Sequence, residues 1–196
     1  MHPALSSTTC AALREAVHGF VRGVVVVCGF PAVGKSSASR LLATEMGALV
    51  LDKDAFAPAL EESVMAELTG NPHDRDSAVY RRVLGPHIYD ALVRNALRVG
   101  EHHAMIVDAP FIDYVRTAHR QGLSLSEYIS GKSDRVVDVR TVWLCATPEV
   151  IRERMIRRGA ERDRTKLADW AAYRTDVLDS GISSFAKEVV DIIVQN

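Results

Sequence analysis

The sequence predicts an α/β domain built on a parallel sheet that is buried on both faces. Three observations carry this reading. Apolar, β-branched runs recur at 24–28, 48–51, 104–107, 139–145 and 189–194, with helical patterns between them. The first run passes through a glycine-rich turn directly into a helix. Three of the runs also end in chemically useful residues: that turn, the pair Asp52 and Asp54, and Asp108. In sheets of this kind ligands bind beyond the carboxyl ends of the strands, so the three ends converge on one cleft.

Taken in order, residues 1–7 read as frayed. Thr8 or Thr9 then caps a helix whose Ala11, Leu13, Ala16, Val17 and Phe20 cover the sheet, and Gly23 ends it. The helix after the glycine turn stops at Gly47. After the second strand the chain is helical over 55–68 and again over 77–99. Gly85-Pro86 imposes a break in the second stretch, and Val79, Val83, Ile88, Leu92 and Leu97 face inward. So much helix exceeds a plain crossover and reads as an insertion, 55–100, that covers a substrate. Ser124-x-x-Glu127 is a capping box, and Thr147-Pro148-Glu149 opens a helix that runs to Gly159. A basic segment and a helix over 167–178 precede the last strand. The whole chain, 1–196, reads as a single domain.

Bulk properties narrow the function. A formal net charge of −1 gives no basic field for nucleic acid. Cys10, Cys28 and Cys145 are odd in number and widely spaced, which fits a reducing compartment rather than a disulfide framework or a metal cluster. No apolar run approaches the roughly 20 residues of a membrane span, and the N-terminus lacks a signal-peptide pattern. The expectation is a cytoplasmic protein, with no reading of its oligomeric state.

The glycine turn carries the strongest signal. Residues 29–36 read G-x-x-x-x-G-K-S between a strand and a helix, the spacing of a phosphate-binding P-loop. Gly29, Ala32, Val33, Gly34, Lys35, Ser36 and Ser37 would wrap a polyphosphate in backbone N–H groups at a helix N-terminus. Lys35 would reach the β- and γ-phosphates, and Ser36 would ligate Mg²⁺. Asp108, an acid ending an apolar strand, completes a metal site with Ser36. It could otherwise cap the turn at Ala109-Pro110. A hydroxyl acceptor needs a carboxylate to take its proton. Asp52 and Asp54 both qualify, and either could instead cap the next helix; spacing alone does not choose. Arg154 and Arg158 share a helix face, with Arg162 just beyond Gly159. A short, Arg-dominated cluster at a glycine hinge suits a lid, 152–166, closing on phosphates. The bland alternative is a solvated face paired with Glu153, Glu161 and Asp163. Tyr80, Arg81 and Asp52 are candidates for the acceptor side, whereas Trp170 and Tyr173 read as core.

With P-loop, strand-two aspartate, Asp108 and Arg-rich lid in this order, residues 24–173 resemble the small P-loop kinases. Within them the chain is similar to the small-molecule kinases grouped as AAA-family ATPases, a broad group that is itself similar to chloramphenicol phosphotransferase, the kinase domain of polynucleotide kinase and zeta toxins. The resemblance implies a five-stranded parallel sheet of order 2-3-1-4-5. It places the catalytic base on Asp54 and the lid arginines on Arg154, Arg158 and Arg162, with ATP and Mg²⁺ as cofactors. Phe56-Ala57-Pro58 stands where polynucleotide kinases carry an arginine, which argues against a nucleic-acid acceptor. The implied activity is transfer of the γ-phosphate of ATP to a hydroxyl of a small molecule, an antibiotic or secondary metabolite being favoured. Two alternatives stand beside it: a kinase acting on a nucleotide, nucleotide-sugar or polynucleotide end, and a nucleotide-dependent switch or chaperone acting through a protein partner.

Overall fold

The computed structural model describes residues 5–196. Five parallel strands form one sheet, β1 (Gly23–Cys28), β2 (Leu49–Asp52), β3 (Ala104–Asp108), β4 (Val139–Cys145) and β5 (Ile192–Gln195), in the order β2-β3-β1-β4-β5. Every residue of β1 and β3 is buried, as continuous apolar runs in a doubly covered sheet require. β2 departs from that pattern: it is an edge strand, and Leu49 and Val50 are exposed.

The first helix, α1 (Ser7–Ala16), is capped by Ser6, two and three residues before Thr8 and Thr9, the threonines expected to cap it. Ser6 accepts from the Thr9 N–H, while the Thr9 hydroxyl donates to the Gln195 carbonyl and ties α1 to the sheet edge. The helix also ends early, and Phe20 packs into the core from the turn that follows. Of the stretch read as frayed, residues 1–4 lie outside the described residues.

α2 (Lys35–Met46) begins at Gly34 and stops at Gly47, both left-handed. The helix expected over 55–68 is two: α3 (Lys53–Phe56) and α4 (Pro58–Thr69), broken at Ala57 (φ −150°, ψ 51°), because the ring of Pro58 denies the preceding residue its helical conformation. A π-helical turn at Tyr80–Leu84 leads into α5 (Gly85–Gly100), where Pro86 supplies no N–H for the ladder. This widened turn buries Tyr80 and Leu84 and leaves Val83 exposed, against the inward position expected of it. Met65, Tyr80, Leu84 and Ile88 form a small core of their own beside the main one.

Two helices escaped the sequence reading, α6 (Ile112–Gln121) and α11 (Ile182–Val189), which pack against each other outside the sheet. Ser124 closes the expected capping box on α7 (Leu125–Ser130). α8 (Pro148–Arg158) has the cap and the stop read for it, Thr147 and Gly159. The helix expected over 167–178 is broken into α9 (Arg164–Ala168), α10 (Trp170–Tyr173) and a π-helical turn at Arg174–Leu178, with the first break at Asp169. Among the described residues no helix is long and apolar enough to cross a membrane.

Candidate active site

The site lies at the carboxyl ends of β1, β2 and β3. Gly29 (φ 136°), Ala32 (φ 64°) and Gly34 (φ 106°) turn the loop through conformations that favour glycine. At Gly29 a side chain is also excluded by space, since a Cβ would stand 2.5 Å from the Leu144 carbonyl oxygen on β4. Gly34 caps α2 without a side chain, which leaves the first-turn N–H groups available to an anion. Lys35 folds back to donate to the Phe30 carbonyl (3.0 Å), and burial pulls its ammonium below the usual lysine value. Arg154 donates to the Val33 carbonyl (3.0 Å), and Asn196 donates to the same oxygen (2.7 Å), so α8 and β5 hold the loop from behind.

Asp108 is buried beside this loop. Burial pushes its carboxyl above the ordinary aspartate value, with Lys35 and the Ser36 hydroxyl pulling the other way. Its Oδ2 has no hydrogen-bond partner. A buried carboxylate oxygen without a donor is the environment that a cation resolves. Asp52 stands in register with Asp108 on the neighbouring strand, so the two side chains leave the sheet on the same face. Ser36, Asp108 and Asp52 are hard oxygen donors of the kind that would suit a Mg²⁺ ion. Among the described residues no group of three or more His, Cys, Asp or Glu offers a self-sufficient metal cage.

Asp52 and Asp54 are engaged differently. Asp52 caps α3 by accepting from the Asp54 N–H (2.8 Å), and both residues line the cleft, the Asp54 side chain half exposed. There it pairs with Arg162 and lies 3.7 Å from the Lys53 ammonium. The three arginines expected to form a lid are thus all engaged, each differently. Arg154 grips the P-loop carbonyls, Arg158 clasps the buried Asp163 (Nη2–Oδ1 2.6 Å), and Arg162 meets Asp54. Lys166, on α9, pairs with Asp76 across the cleft.

A single cavity of about 500 Å³ joins these parts. Lys35 and Ser36 line one end and Asp54, Arg75 and Tyr80 the other, with Arg154, Arg158 and Arg162 over it. Arg81 is exposed and is not among the lining residues, because the π turn that buries Tyr80 turns the next residue outward. Trp170 and Tyr173 pack against one another, ring centroids 5.6 Å apart, and Tyr173 is buried.

No local sequence signal marks one further residue. Glu61, on the first turn of α4, is 2% exposed and accepts from Lys53 (2.9 Å), from Arg75 Nε (2.8 Å) and from the Tyr80 hydroxyl (2.8 Å). An acid in a first helical turn ordinarily faces solvent and favours the helix dipole, so nothing in its position marks it as buried.

The family profile described as an AAA domain, AAA_33, matches residues 24–177. No curated protein matches the sequence. Among solved structures the chain is similar to a candidate fructose transport system kinase from Silicibacter sp. TM1040, at 15% identity over 96% of this chain and 99% of that one, TM-score 0.53. It is also similar to a chain from the PezAT chromosomal toxin-antitoxin system of Streptococcus pneumoniae, at 14% identity over 98% and 78%, TM-score 0.53. A gluconokinase from Sinorhizobium meliloti 1021 aligns at 19% identity over 89% and 83%, TM-score 0.46. The first two likenesses are to the fold. With the profile spanning most of its length, the chain belongs to the AAA domain family AAA_33, and its fold is that of the P-loop kinases.

Proposed function

We propose that this protein is a kinase that transfers the γ-phosphate of ATP to a hydroxyl group of a small molecule. The observation that carries the reading is the shared cavity: the P-loop and the Asp54 carboxylate face one space, under a roof of arginines. A pure nucleotide-binding module needs no acid opposite the phosphates.

In this reading the acceptor oxygen attacks the γ-phosphorus, the bond to the β–γ bridging oxygen breaks, and ADP leaves. Asp54 accepts the hydroxyl proton and later releases it to water. The first-turn N–H groups of α2 and Lys35 hold the phosphates, and Lys35 exchanges its bond to the Phe30 carbonyl for a phosphate oxygen. Ser36 and Asp108, with Asp52 beside them, would hold Mg²⁺, which when bound would neutralise charge on the phosphates. Arg162 leaves Asp54 for the transferring group, while Arg154 keeps the loop in shape and Arg158 keeps the lid folded over Asp163. Water is excluded by α8, α9 and the segment between them. An antibiotic or secondary metabolite is the favoured acceptor, in keeping with the resemblance to chloramphenicol phosphotransferase. The switch reading calls for a broad apolar patch beside the lid. On α8 Ile156 is exposed, with no other large apolar neighbour on that helix exposed beside it.

A transfer screen with labelled ATP against metabolites and antibiotics, read by mass shift, tests the proposal. A phosphorylated product that disappears in Asp54→Asn is the expected result. Hydrolysis of ATP with no phosphorylated acceptor, equal in wild type and variant, would overturn it.

A further inference from the structure

In the kinase reading Arg162 must leave Asp54 and reach the terminal phosphate, so what holds its backbone matters. Arg162 stands in a short 3₁₀ turn, Glu161–Asp163, and two contacts fix that turn. On one side the buried Asp163 is clasped by Arg158 of α8 (Nη2–Oδ1 2.6 Å). On the other, the Lys166 ammonium donates to the main-chain carbonyl of Arg162 itself (2.9 Å) and pairs with Asp76.

This pair is more than a surface contact. A lysine in the first turn of a short helix ordinarily keeps its charged end in water. The Lys166 side chain is only 10% exposed, and both it and Asp76 line the main cavity. The Asp76 carboxylate is reached by solvent, but its main chain is held. Asp74 accepts from the N–H groups of Asp76 (3.2 Å) and Ser77 (3.0 Å), and the Ser77 hydroxyl oxygen accepts from the Tyr80 N–H (3.1 Å). The loop carrying Asp76 is thus a preformed connection into Tyr80, another lining residue. One nitrogen therefore joins the backbone of Arg162 to the loop on the far side of the cleft. An ion pair with one partner largely withdrawn from water is screened less than a fully exposed one.

Resting on the kinase reading, we propose that Lys166 is the positioning residue for Arg162, with Asp76 as its anchor. The bridge holds the Arg162 backbone at the cavity, so that the guanidinium only has to turn from Asp54 to the terminal phosphate. Because Asp76 belongs to the loop that leads into Tyr80, the lid is registered against the acceptor side as well as the nucleotide side. Lys166 acts through the main chain and does not itself touch phosphate.

The test is nucleotide binding without acceptor, so that it is independent of phosphoryl transfer. Calorimetry with Mg²⁺ compares the β,γ-imido analogue of ATP with ADP, and the ratio of the two Kd values isolates the terminal phosphate. Arg162→Gln should weaken the analogue by about 10- to 100-fold, the loss of a charged hydrogen bond, and change ADP less than about threefold. Lys166→Met and Asp76→Asn should each weaken the analogue by about 3- to 10-fold, again with little effect on ADP. Lys166→Arg, which can keep both contacts, should recover most of the loss. Adding Lys166→Met to Arg162→Gln should cost less than about twofold more, because the two residues act as one unit. Circular dichroism on each variant confirms that it is folded. Losses that multiply in the double variant would make Lys166 a phosphate ligand in its own right and overturn the inference. Equal weakening of the analogue and ADP, an Asp76→Asn variant that binds the analogue as wild type does, or an Arg162→Gln variant that does so, overturns it as well. Transfer from ATP is measured separately, and its absence would count against the kinase reading while leaving the binding ratios to stand or fall alone.

Discussion

Replacing Glu61 by glutamine keeps the side chain's size and removes its charge. In the folded protein that charge is buried and holds Lys53, Arg75 and the Tyr80 hydroxyl. Breaking one side of a buried ion pair costs about 3–5 kcal/mol, because the surviving partner is left uncompensated. Two features place this site at the lower end of that range. Lys53 has Asp54 within 3.7 Å to turn to, and Arg75 keeps its bonds to the carbonyls of Pro72 and Asp74. The expected loss is therefore about 3 kcal/mol. For a domain of this size each kcal/mol is roughly 2–4 °C in Tm, so Glu61→Gln should melt roughly 6–12 °C below wild type. Tyr80→Phe removes one hydrogen bond to a charged group, about 1.5–3 kcal/mol, and should cost less. The assay is thermal unfolding followed by circular dichroism without nucleotide, since a bound ligand would add its own stabilisation. A loss below about 2 °C for Glu61→Gln, or a larger loss for Tyr80→Phe than for Glu61→Gln, would refute the claim that this carboxylate anchors Lys53, Arg75 and Tyr80.

Three further outcomes follow from the same geometry. Asp54→Asn should lower kcat by about 10²- to 10⁴-fold, the range of a general base, with the Kd for ATP changed less than threefold. Asp108 is a carboxyl whose pKa burial raises, so the folded apo protein holds its proton to a higher pH than the unfolded chain does. Apo stability contributed by this group therefore falls as pH rises from the ordinary aspartate value through the raised one. Mg²⁺ needs the ionised form, so Mg²⁺-dependent nucleotide affinity should rise across the same window, and titration calorimetry at a series of pH values checks both slopes. Gly29→Ala places a methyl group 2.5 Å from the Leu144 carbonyl in a left-handed backbone, and should cost roughly 2–5 kcal/mol while weakening nucleotide binding, measured by melting with and without ATP.

Much of this molecule was legible because its strongest signals are local. Continuous valines at 24–27 need cover on both faces, and the glycine spacing of the P-loop admits few conformations, so the central strands and the nucleotide end could be read directly. The surroundings of Asp54 and Tyr80 could not. Whether Asp52 or Asp54 is free depends on which of them caps α3, a difference of two residues that propensity does not resolve. Arg81 was placed beside Tyr80 by sequence adjacency, and the π turn separates the two by sending one inward and the other out. Glu61, Arg75 and Lys53 meet only because α3, α4 and the loop before the π turn fold onto one another, and a tertiary meeting of that kind leaves no periodicity. Val83 and the edge strand β2 failed for the complementary reason: apolar residues were assigned to the interior where the packing has none to offer.

The central claim concerns one gap, between the phosphate held at the start of α2 and the carboxylate of Asp54. A crystal structure with Mg²⁺ and a non-hydrolysable ATP analogue measures it directly. The account predicts the terminal phosphate facing Asp54, with room for one hydroxyl oxygen within hydrogen-bond reach of the carboxylate and Arg162 moved from Asp54 to the phosphate. A terminal phosphate directed away from Asp54, or protein atoms filling the space between them, would contradict it.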